Sequence, residues 1–157
     1  MIHDKKKFSF NELFNILYKT SINAFRKNEV PVSALIFDPI KKRIISKSHN
    51  LNKKKYDPCA HAEIIAIQKA CKKLKKPRLD GYDIYCSLEP CLMCSAVIIN
   101  SKIRRIYFAV EDKKNGSLVN NQRLAYDNNI KKKPKVYYGF NENDFSNILK
   151  KFFYNKR

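Results

Sequence analysis

The middle of the chain alternates short β-branched segments with longer helical segments, and this order restricts the fold more than any other feature. Strands are predicted over Arg43 to Ser48, Ile84 to Leu88 and Ile103 to Val110, and helices from about Ala60 to Lys75 and from Pro90 to about Asn100. Strands joined by helices run parallel through right-handed crossovers. Both helices then begin at the carboxyl edge of the sheet, where α/β proteins bind ligands.

The flanking segments predict the outer elements of the same sheet. Two more strands, over 32–37 and 136–138, bring the total to about five, and the first of them forms a hairpin-like pair with the next strand. No repeat or linker is visible, so residues 1–157 are expected to form a single domain. The outer helices are one capped by Ser9 or Asn11 that extends to about Asn28 and one over Glu142 to Tyr154.

The chain carries 33 Lys and Arg against 14 Asp and Glu, a formal net charge of +19. Basic side chains that neutralise phosphates provide sequence-independent affinity for nucleic acid, so this charge suggests a polyanionic partner. The basic runs are scattered along the chain, however, and a solvated lysine-rich surface explains them equally well. Charge alone leaves RNA binding and a solvated surface both open.

Hydropathy argues against two broad classes of protein. A hydrophobic content of 44% is too high for a disordered chain. The longest nearly apolar stretch, Leu92 to Ile99, is far shorter than the roughly 18 residues that a membrane span needs. The first residues are basic, but no apolar stretch of the kind found in a secretory signal peptide follows them. The protein is therefore expected to act in the cytoplasm, without a membrane partner.

The cysteines indicate metal binding or catalysis rather than disulfide bonds. Five cysteines are an odd number in a chain without an export signal. Cys91 and Cys94 form a Cys-x-x-Cys pair directly after Pro90. Such a pair alone is consistent with a redox dithiol, half of a structural zinc site, or part of a catalytic zinc site.

His61 favours the catalytic zinc site. It lies at the start of the helix before the Cys-x-x-Cys helix, so both helix starts meet at one edge of the sheet. Cys91 and Cys94 share a helical face, and a helix N-terminus favours the thiolate that binds metal. One nitrogen and two sulfur ligands leave the fourth tetrahedral position of Zn²⁺ for water. Cys59 is the nearest further candidate, but it precedes the helix and is expected to face elsewhere.

Glu63 adds a proton carrier to this group. It follows His61 by two residues, about 200° further round the helix, and so can reach past the metal rather than bind it. A carboxylate there can take a proton from an activated water and return protons to a ring nitrogen and a departing amine. His-x-Glu followed by Pro-Cys-x-x-Cys is the signature of zinc-dependent deaminases.

Six stretches extend this pattern over about 125 residues. They are Glu29 to Val32, Asn50, His61 to Ile64, Leu88 to Cys94, Asn100 to Ile103, and Phe152 with Phe153. In these stretches the chain resembles the bacterial tRNA-specific adenosine deaminases. The resemblance implies a three-layer α/β/α cytidine-deaminase-like fold with a central mixed sheet of about five strands. It also implies a homodimer with one Zn²⁺ per subunit that converts adenosine to inosine at the wobble position of a tRNA anticodon. No organic cofactor is expected.

The resemblance assigns roles to individual residues. His61, Cys91 and Cys94 match the zinc ligands, and Glu63 matches the proton shuttle. Residues matched to the substrate are Asn50, which hydrogen-bonds the flipped nucleotide, and Phe152, Phe153, Lys156 and Arg157, in a helix that contacts the anticodon loop by stacking and phosphate contacts.

Several of these residues also suit an ordinary structural role instead of substrate binding. Asn50 also suits a turn after a strand, and one of the two phenylalanines suits packing against the core. Asp112 follows a strand end, where it either contacts substrate or stabilises a turn. The segment Val97 to Ile99 suits a subunit interface as well as the core.

Two other functions remain possible on the sequence. One is deamination of a free base or nucleotide, such as guanine, cytosine or deoxycytidylate, which uses the same metal motif. The other is a zinc-stabilised RNA-binding module without catalysis, in which Glu63 has no structural duty. The basic, aromatic C-terminal segment favours an RNA substrate over a free nucleotide.

Overall fold

A computed structural model of the protein describes residues 8–156. The predicted helices and strands are present with small shifts at their ends. Helices and strands follow in the order α1 (Phe10–Arg26), β1 (Ser33–Asp38), β2 (Arg43–His49), α2 (Asn52–Lys55), α3 (Ala62–Leu74), β3 (Asp83–Leu88), α4 (Leu92–Asn100), β4 (Arg105–Val110), β5 (Lys135–Tyr138) and α5 (Glu142–Tyr154), with one 3₁₀ turn at Leu124–Tyr126.

The five strands form one mixed sheet with the order β2-β1-β3-β4-β5. β1 is antiparallel to both of its neighbours, whereas β3, β4 and β5 are parallel. β2, β3 and β4 therefore point in the same direction, as predicted, although β1 lies between the first two. The mixed sheet of about five strands is confirmed.

α1 and α5 cover one face of the sheet. Ser9 caps α1 with a complete capping box, in which Ser9 Oγ accepts the Glu12 N–H and Ser9 N–H donates to the Glu12 carboxylate. Leu13, Phe14 and Leu17 follow at helical spacing and are buried against β1 and β3. This stripe holds α1 on the sheet.

α3 and α4 cover the opposite face and complete the three layers. Ala62, Ala66 and Ala70 line the buried side of α3, and these small residues allow the helix to approach the strands closely. Ile36 of β1 and Ile84 of β3 pack in the same cluster and are fully buried. Burial of this alanine face therefore fixes the height of α3 above the sheet.

Both central helices begin two residues later than predicted. His61 is the N-cap residue of α3, with φ −76° and ψ 150°, and Cys91 is the N-cap residue of α4, with φ −69° and ψ 172°. Extended backbone at these positions turns each side chain toward the carboxyl edge of the sheet rather than along the helix. The sequence also did not predict α2. Within residues 8–156, no helix is both long enough and apolar enough to cross a bilayer.

Candidate metal centre and active site

Three side chains from the two helix starts converge on one point. The ligand atoms of His61, Cys91 and Cys94 all lie within 4.8 Å of one another. His61 Nδ1 is 3.7 Å from Cys91 Sγ and 3.5 Å from Cys94 Sγ. Tetrahedral zinc, with Zn–N of about 2.05 Å and Zn–S of about 2.3 Å, separates nitrogen and sulfur ligands by about 3.6 Å. The spacing of the donor atoms therefore fits Zn²⁺.

No fourth metal-binding side chain joins this group within the described part of the chain. Cys59, the nearest candidate in sequence, is exposed and lies outside the group. Three ligands of type N, S and S leave one tetrahedral position for water, which is the arrangement of catalytic zinc sites.

One of the two sulfurs, that of Cys91, is in the form that binds a metal. A hydrogen bond with Cys94 lowers the pKa of the Cys91 thiol to about 4, and the same contact raises the pKa of Cys94. A hydrogen bond with Cys91 raises the pKa of His61. The pair therefore carries negative charge at neutral pH, and thiolate is the form of cysteine that binds metal.

Glu63 is buried beside this group with an unsatisfied oxygen. Its side chain is 3% exposed, and Oε2 has no hydrogen-bond partner within residues 8–156. Burial raises the pKa of Glu63 to about 7. An unpaired buried carboxylate oxygen is costly, so its presence indicates a partner supplied at the site. A pKa near neutrality suits a group that takes up and returns a proton.

A cavity of about 1080 Å³ opens onto these residues. His61, Cys91 and Glu63 line it, and so do three of the side chains that were predicted to contact substrate, Asn50, Asp112 and Phe153. Phe152 and Lys156 do not line it, and Arg157 lies outside the described residues. The structure thus brings together most of the predicted site.

Asn50 contacts the start of α3 and also lines the cavity. Its Oδ1 accepts the Ala62 N–H at 2.9 Å and so satisfies one free donor at the start of α3. No hydrogen bond from Nδ2 is present within the described residues. The contact with α3 holds the amide in one orientation and leaves Nδ2 to donate to a ligand.

Asp112 stabilises a turn, which was the predicted alternative to a contact with substrate. Its Oδ1 accepts the N–H groups of Lys114 and Asn115, both at 3.0 Å. This turn presents Lys113 and Lys114 to the cavity, where Lys150 of α5 also lies. The sequence did not single out any of these three lysines.

Phe152 and Phe153 have different environments. Phe152 is 4% exposed and packs edge-on against Phe25 of α1, which favours the packing role for this residue. Phe153 is 53% exposed and lines the cavity. Adjacent residues on a helix point about 100° apart, so only one of the pair can face the core.

Glu89 is the site residue that the sequence did not single out for a role. Its carboxylate is 3% exposed and accepts five hydrogen bonds. Oε1 accepts the N–H groups of Leu118, Val119 and Asn120 at 2.9 to 3.0 Å. Oε2 accepts the Asp112 N–H at 3.1 Å and the Asn120 Nδ2–H at 2.6 Å. One buried carboxylate therefore fixes the whole loop from 111 to 120.

Gly116 shows how closely this loop approaches Glu89. A Cβ at Gly116 would collide with the Glu89 carboxyl group and with the Asp112 carbonyl oxygen. The backbone of Gly116 also forms an isolated antiparallel bridge with Cys91. The loop is thus joined on one side to Glu89 and on the other to the turn that carries a metal-binding sulfur.

The three-layer fold and the His/Cys/Cys group with its buried glutamate define the class of zinc-dependent deaminases. The family described as the cytidine and deoxycytidylate deaminase zinc-binding region matches residues 10–110. This match, together with the donor group, confirms zinc as the predicted cofactor.

Individual relatives identify the family within the class of zinc-dependent deaminases. A tRNA-specific adenosine deaminase of Rickettsia bellii is 42% identical over 130 residues, which are 83% of this chain and 90% of the relative. A second, from Aquifex aeolicus, is 40% identical over 131 residues, 83% of this chain and 84% of the relative. The chain belongs to the family of tRNA-specific adenosine deaminases.

Solved structures agree with this assignment. A structure from a study of A-to-I editing by tRNA:A34 deaminases at the wobble position is 34% identical, with a TM-score of 0.84 over 88% of this chain and 99% of that one. A guanine deaminase from Nitrosomonas europaea has a TM-score of 0.78 but 19% identity, so it shares the fold.

The donor group predicts which cysteine substitutions remove zinc. Cys94→Ser replaces a thiolate by a poor zinc ligand, and we expect bound zinc to fall from one per chain to below about 0.1 after dialysis. Cys59→Ser changes an exposed thiol outside the group and should retain one zinc. Elemental analysis of both purified variants measures this, and full zinc retention by Cys94→Ser would contradict the assignment.

The Glu89 contacts predict that replacement of one carboxylate oxygen by an amide nitrogen lowers the stability of the protein. In Glu89→Gln, either orientation of the amide turns an NH₂ group toward at least two N–H donors, which leaves buried groups unsatisfied. We expect the free energy of unfolding to fall by about 1–3 kcal/mol in denaturant titrations of the zinc-loaded protein. Limited proteolysis should cut first within 111–120.

Glu111→Gln is the matched control for Glu89→Gln. Its carboxylate is exposed on the same loop and accepts a hydrogen bond from Asn120 Nδ2 at 3.1 Å. We expect a change within about 0.5 kcal/mol. Equal effects of the two substitutions would show that Glu89 does not hold the loop.

Proposed function

We propose that this protein hydrolyses the exocyclic amine of adenosine at the wobble position of a tRNA anticodon and releases inosine-containing tRNA and ammonia. The observation that carries the proposal is the convergence of the His61, Cys91 and Cys94 donors with the buried Glu63 carboxylate in one cavity. The similarity to tRNA-specific adenosine deaminases over about nine tenths of their length supports the same reaction.

The chemical roles follow from the positions of the groups. Zinc, when bound by His61, Cys91 and Cys94, supplies an activated water as nucleophile. Glu63 takes a proton at its unpaired Oε2 and returns protons to the ring nitrogen and to the leaving amine. The apolar surroundings that raise the pKa of Glu63 keep this proton exchange close to neutrality.

The cavity favours a nucleotide within a macromolecule as substrate. Its volume of about 1080 Å³ lies at the upper limit of the roughly 300–1000 Å³ usual for small-molecule pockets. Asn50 and the exposed ring of Phe153 both line the cavity, which supports a hydrogen bond from Asn50 Nδ2 to the base and stacking of Phe153 on a neighbouring base. Lys113, Lys114 and Lys150 provide positive charge for phosphates of the anticodon stem-loop.

We further propose that residues 1–157 act as one catalytic domain in the cytoplasm, where tRNA is the substrate. The single five-stranded sheet supports one domain. The proposed oligomer is a homodimer with one zinc per subunit. α4 contains no charged residue, and although Ile98 is buried in the core, Leu92 is 49% exposed on the same helix. An apolar helix with an uncovered face is typical of a subunit interface.

The substrate assignment predicts inosine formation only in tRNA. Zinc-loaded protein incubated with anticodon stem-loops that carry adenosine at the wobble position should convert this adenosine to inosine, measured by mass spectrometry of nucleosides after digestion of the RNA. Free adenosine, guanine, cytosine and deoxycytidylate should remain unchanged under the same conditions. Turnover of any of these at a comparable rate would favour the alternative, deamination of a free base or nucleotide.

Glu63→Gln is the matched inactive variant for this assay. It preserves the size of the side chain and the three metal donors, so it should retain one zinc per chain. We expect activity to fall by about 10²-fold or more, because an amide cannot carry the proton. Substantial remaining activity with full zinc would mean that another group moves the proton.

The proposed interface predicts the mass of the protein in solution. Sedimentation velocity should give twice the chain mass of 18.5 kDa. Leu92→Glu places a charge on the uncovered face of α4 and should give the mass of one chain. Ile40→Glu is the control, because Ile40 is 87% exposed in the β1–β2 turn and should leave the dimer intact. A dimeric Leu92→Glu variant would place the interface elsewhere.

A further inference from the structure

A second cavity, of about 370 Å³, lies between α1, β2 and α3 and shares no lining residue with the active-site cavity. β2 is the strand at this end of the sheet. The α1 side is formed by Ile16, Lys19, Thr20 and Asn23, whose spacing of three or four residues places them on one face of the helix. We call this space the edge cavity. Its volume lies within the range of small-molecule pockets.

Lysines from three elements give the edge cavity a positive charge. Lys19 belongs to α1, Lys47 to β2 and Lys69 to α3, and no acidic residue lines the cavity. None of these ammonium groups forms a salt bridge within residues 8–156. Lys69 Nζ donates to the Lys47 carbonyl at 3.4 Å, and an ammonium group has three donors, so further donors remain. Three such cations around one small cavity attract an anion.

His49 adds a buried polar group to these lysines. It is 8% exposed, and its Nδ1 lies 2.7 Å from the Asn50 carbonyl oxygen. A carbonyl oxygen only accepts hydrogen bonds, so Nδ1 carries the proton and Nε2 of the neutral ring is an acceptor. Within the described part of the chain, Nε2 has no hydrogen-bond partner and is not among the enclosed polar atoms. Because His49 lines the edge cavity, Nε2 opens onto it.

These groups together indicate the class of ligand. Ammonium groups bind phosphate oxygens, and a phosphate monoester offers three acceptor oxygens and a charge of about −1.5 to −2 at neutral pH. Nε2 of His49 needs an O–H donor, which a sugar hydroxyl supplies. A sugar or nucleoside phosphate carries both groups in one small molecule.

The edge cavity and the active-site cavity share a wall. Residues 49–52 alternate between them, since His49 and Leu51 line the edge cavity whereas Asn50 and Asn52 line the active-site cavity. The hydrogen bond from His49 Nδ1 to the Asn50 carbonyl connects the two sides. An occupant of the edge cavity therefore contacts the segment that carries Asn50 without entering the active site.

We propose that the edge cavity binds a small phosphate monoester that carries a sugar hydroxyl, with the phosphate on Lys19, Lys47 and Lys69 and the hydroxyl on His49 Nε2. The ligand is a molecule other than the nucleotide that is deaminated. Its binding does not depend on which base the active site accepts, so the proposal is independent of the proposed function.

A nuclear magnetic resonance titration tests the site and locates it. Zinc-loaded full-length protein, labelled with ¹⁵N, is titrated with glucose 1-phosphate at constant ionic strength. We expect saturable amide shifts at 16–23 and 47–51, with a Kd of about 0.1–1 mM for a ligand of this size. Inorganic phosphate should bind at the same residues but more weakly, and glucose should cause no shift there.

Substitutions assign the contacts. Lys47→Gln and Lys69→Gln should each raise the Kd for glucose 1-phosphate by about 3- to 5-fold, because one cation is lost. His49→Asn keeps an N–H donor near the position of Nδ1 but removes Nε2, and it should also raise the Kd. Lys72→Gln is the matched control, because Lys72 is exposed on α3 and does not line the edge cavity. It should leave the Kd unchanged.

Three results would overturn the proposal. No saturable shift, or equal effects of Lys69→Gln and Lys72→Gln, would mean that the edge cavity holds no phosphate. Shifts at 113, 114 and 150 instead of 16–23 and 47–51 would place the ligand in the active-site cavity. Displacement of glucose 1-phosphate by a saturating anticodon stem-loop RNA would identify an RNA backbone phosphate as the occupant. Retention of the small ligand beside bound RNA supports the separate site.

Discussion

The buried carboxylate of Glu89 is the interaction on which the geometry of this site depends. The loop over 111–120 contains no helix or strand, so its N–H groups need partners from elsewhere. Glu89 supplies one acceptor group to four backbone donors and one side-chain donor at once. It stands two residues before Cys91, and Gly116 of the same loop bridges back to Cys91. The metal-binding turn and the wall of the cavity are therefore parts of one hydrogen-bonded unit.

Much of the fold and of the metal centre was predictable because its signals are local. Helical spacing in α1 and α5 and the hairpin before α3 depend on residues close in sequence, and the structure confirms them. Zinc ligands are few in type and occur at characteristic spacings, so the group of His61, Cys91 and Cys94 could be found without coordinates. The helices begin two residues late because His61 and Cys91 take extended cap conformations, which their side chains do not reveal.

The parts that could not be predicted depend on contacts between distant segments. A carboxylate that binds main-chain N–H groups leaves no periodic pattern, so neither Glu89 nor Glu29 could be assigned a role. Residues 116–135 likewise show no periodic pattern that predicts their structure. β1 lies between β2 and β3 because it pairs with a strand distant in sequence, as in Ala34 with Cys86. The order of elements alone does not determine this pairing.

The structure also divides the lysines into groups with different roles. Lys113, Lys114 and Lys150 line the cavity. In α3, Lys73 Nζ donates to the Ile45 carbonyl at 3.0 Å and Lys69 Nζ donates to the Lys47 carbonyl at 3.4 Å. These α3 lysines cover carbonyl groups along β2, the strand at the end of the sheet, and so discourage pairing with another chain. The lysines that sequence alone treats as one basic surface therefore lie in different environments.

Asn50 connects the wall of the cavity to the start of α3 through a single side chain. The same amide that faces the cavity satisfies the first turn of the helix that carries Glu63 and is preceded by His61. An aspartate would keep the acceptor for α3 but present no donor to a base, and a small apolar residue would lose both. A substitution that removes the side-chain oxygen at this position therefore also disturbs the start of the helix that carries Glu63, whereas aspartate alters only the group presented to the cavity.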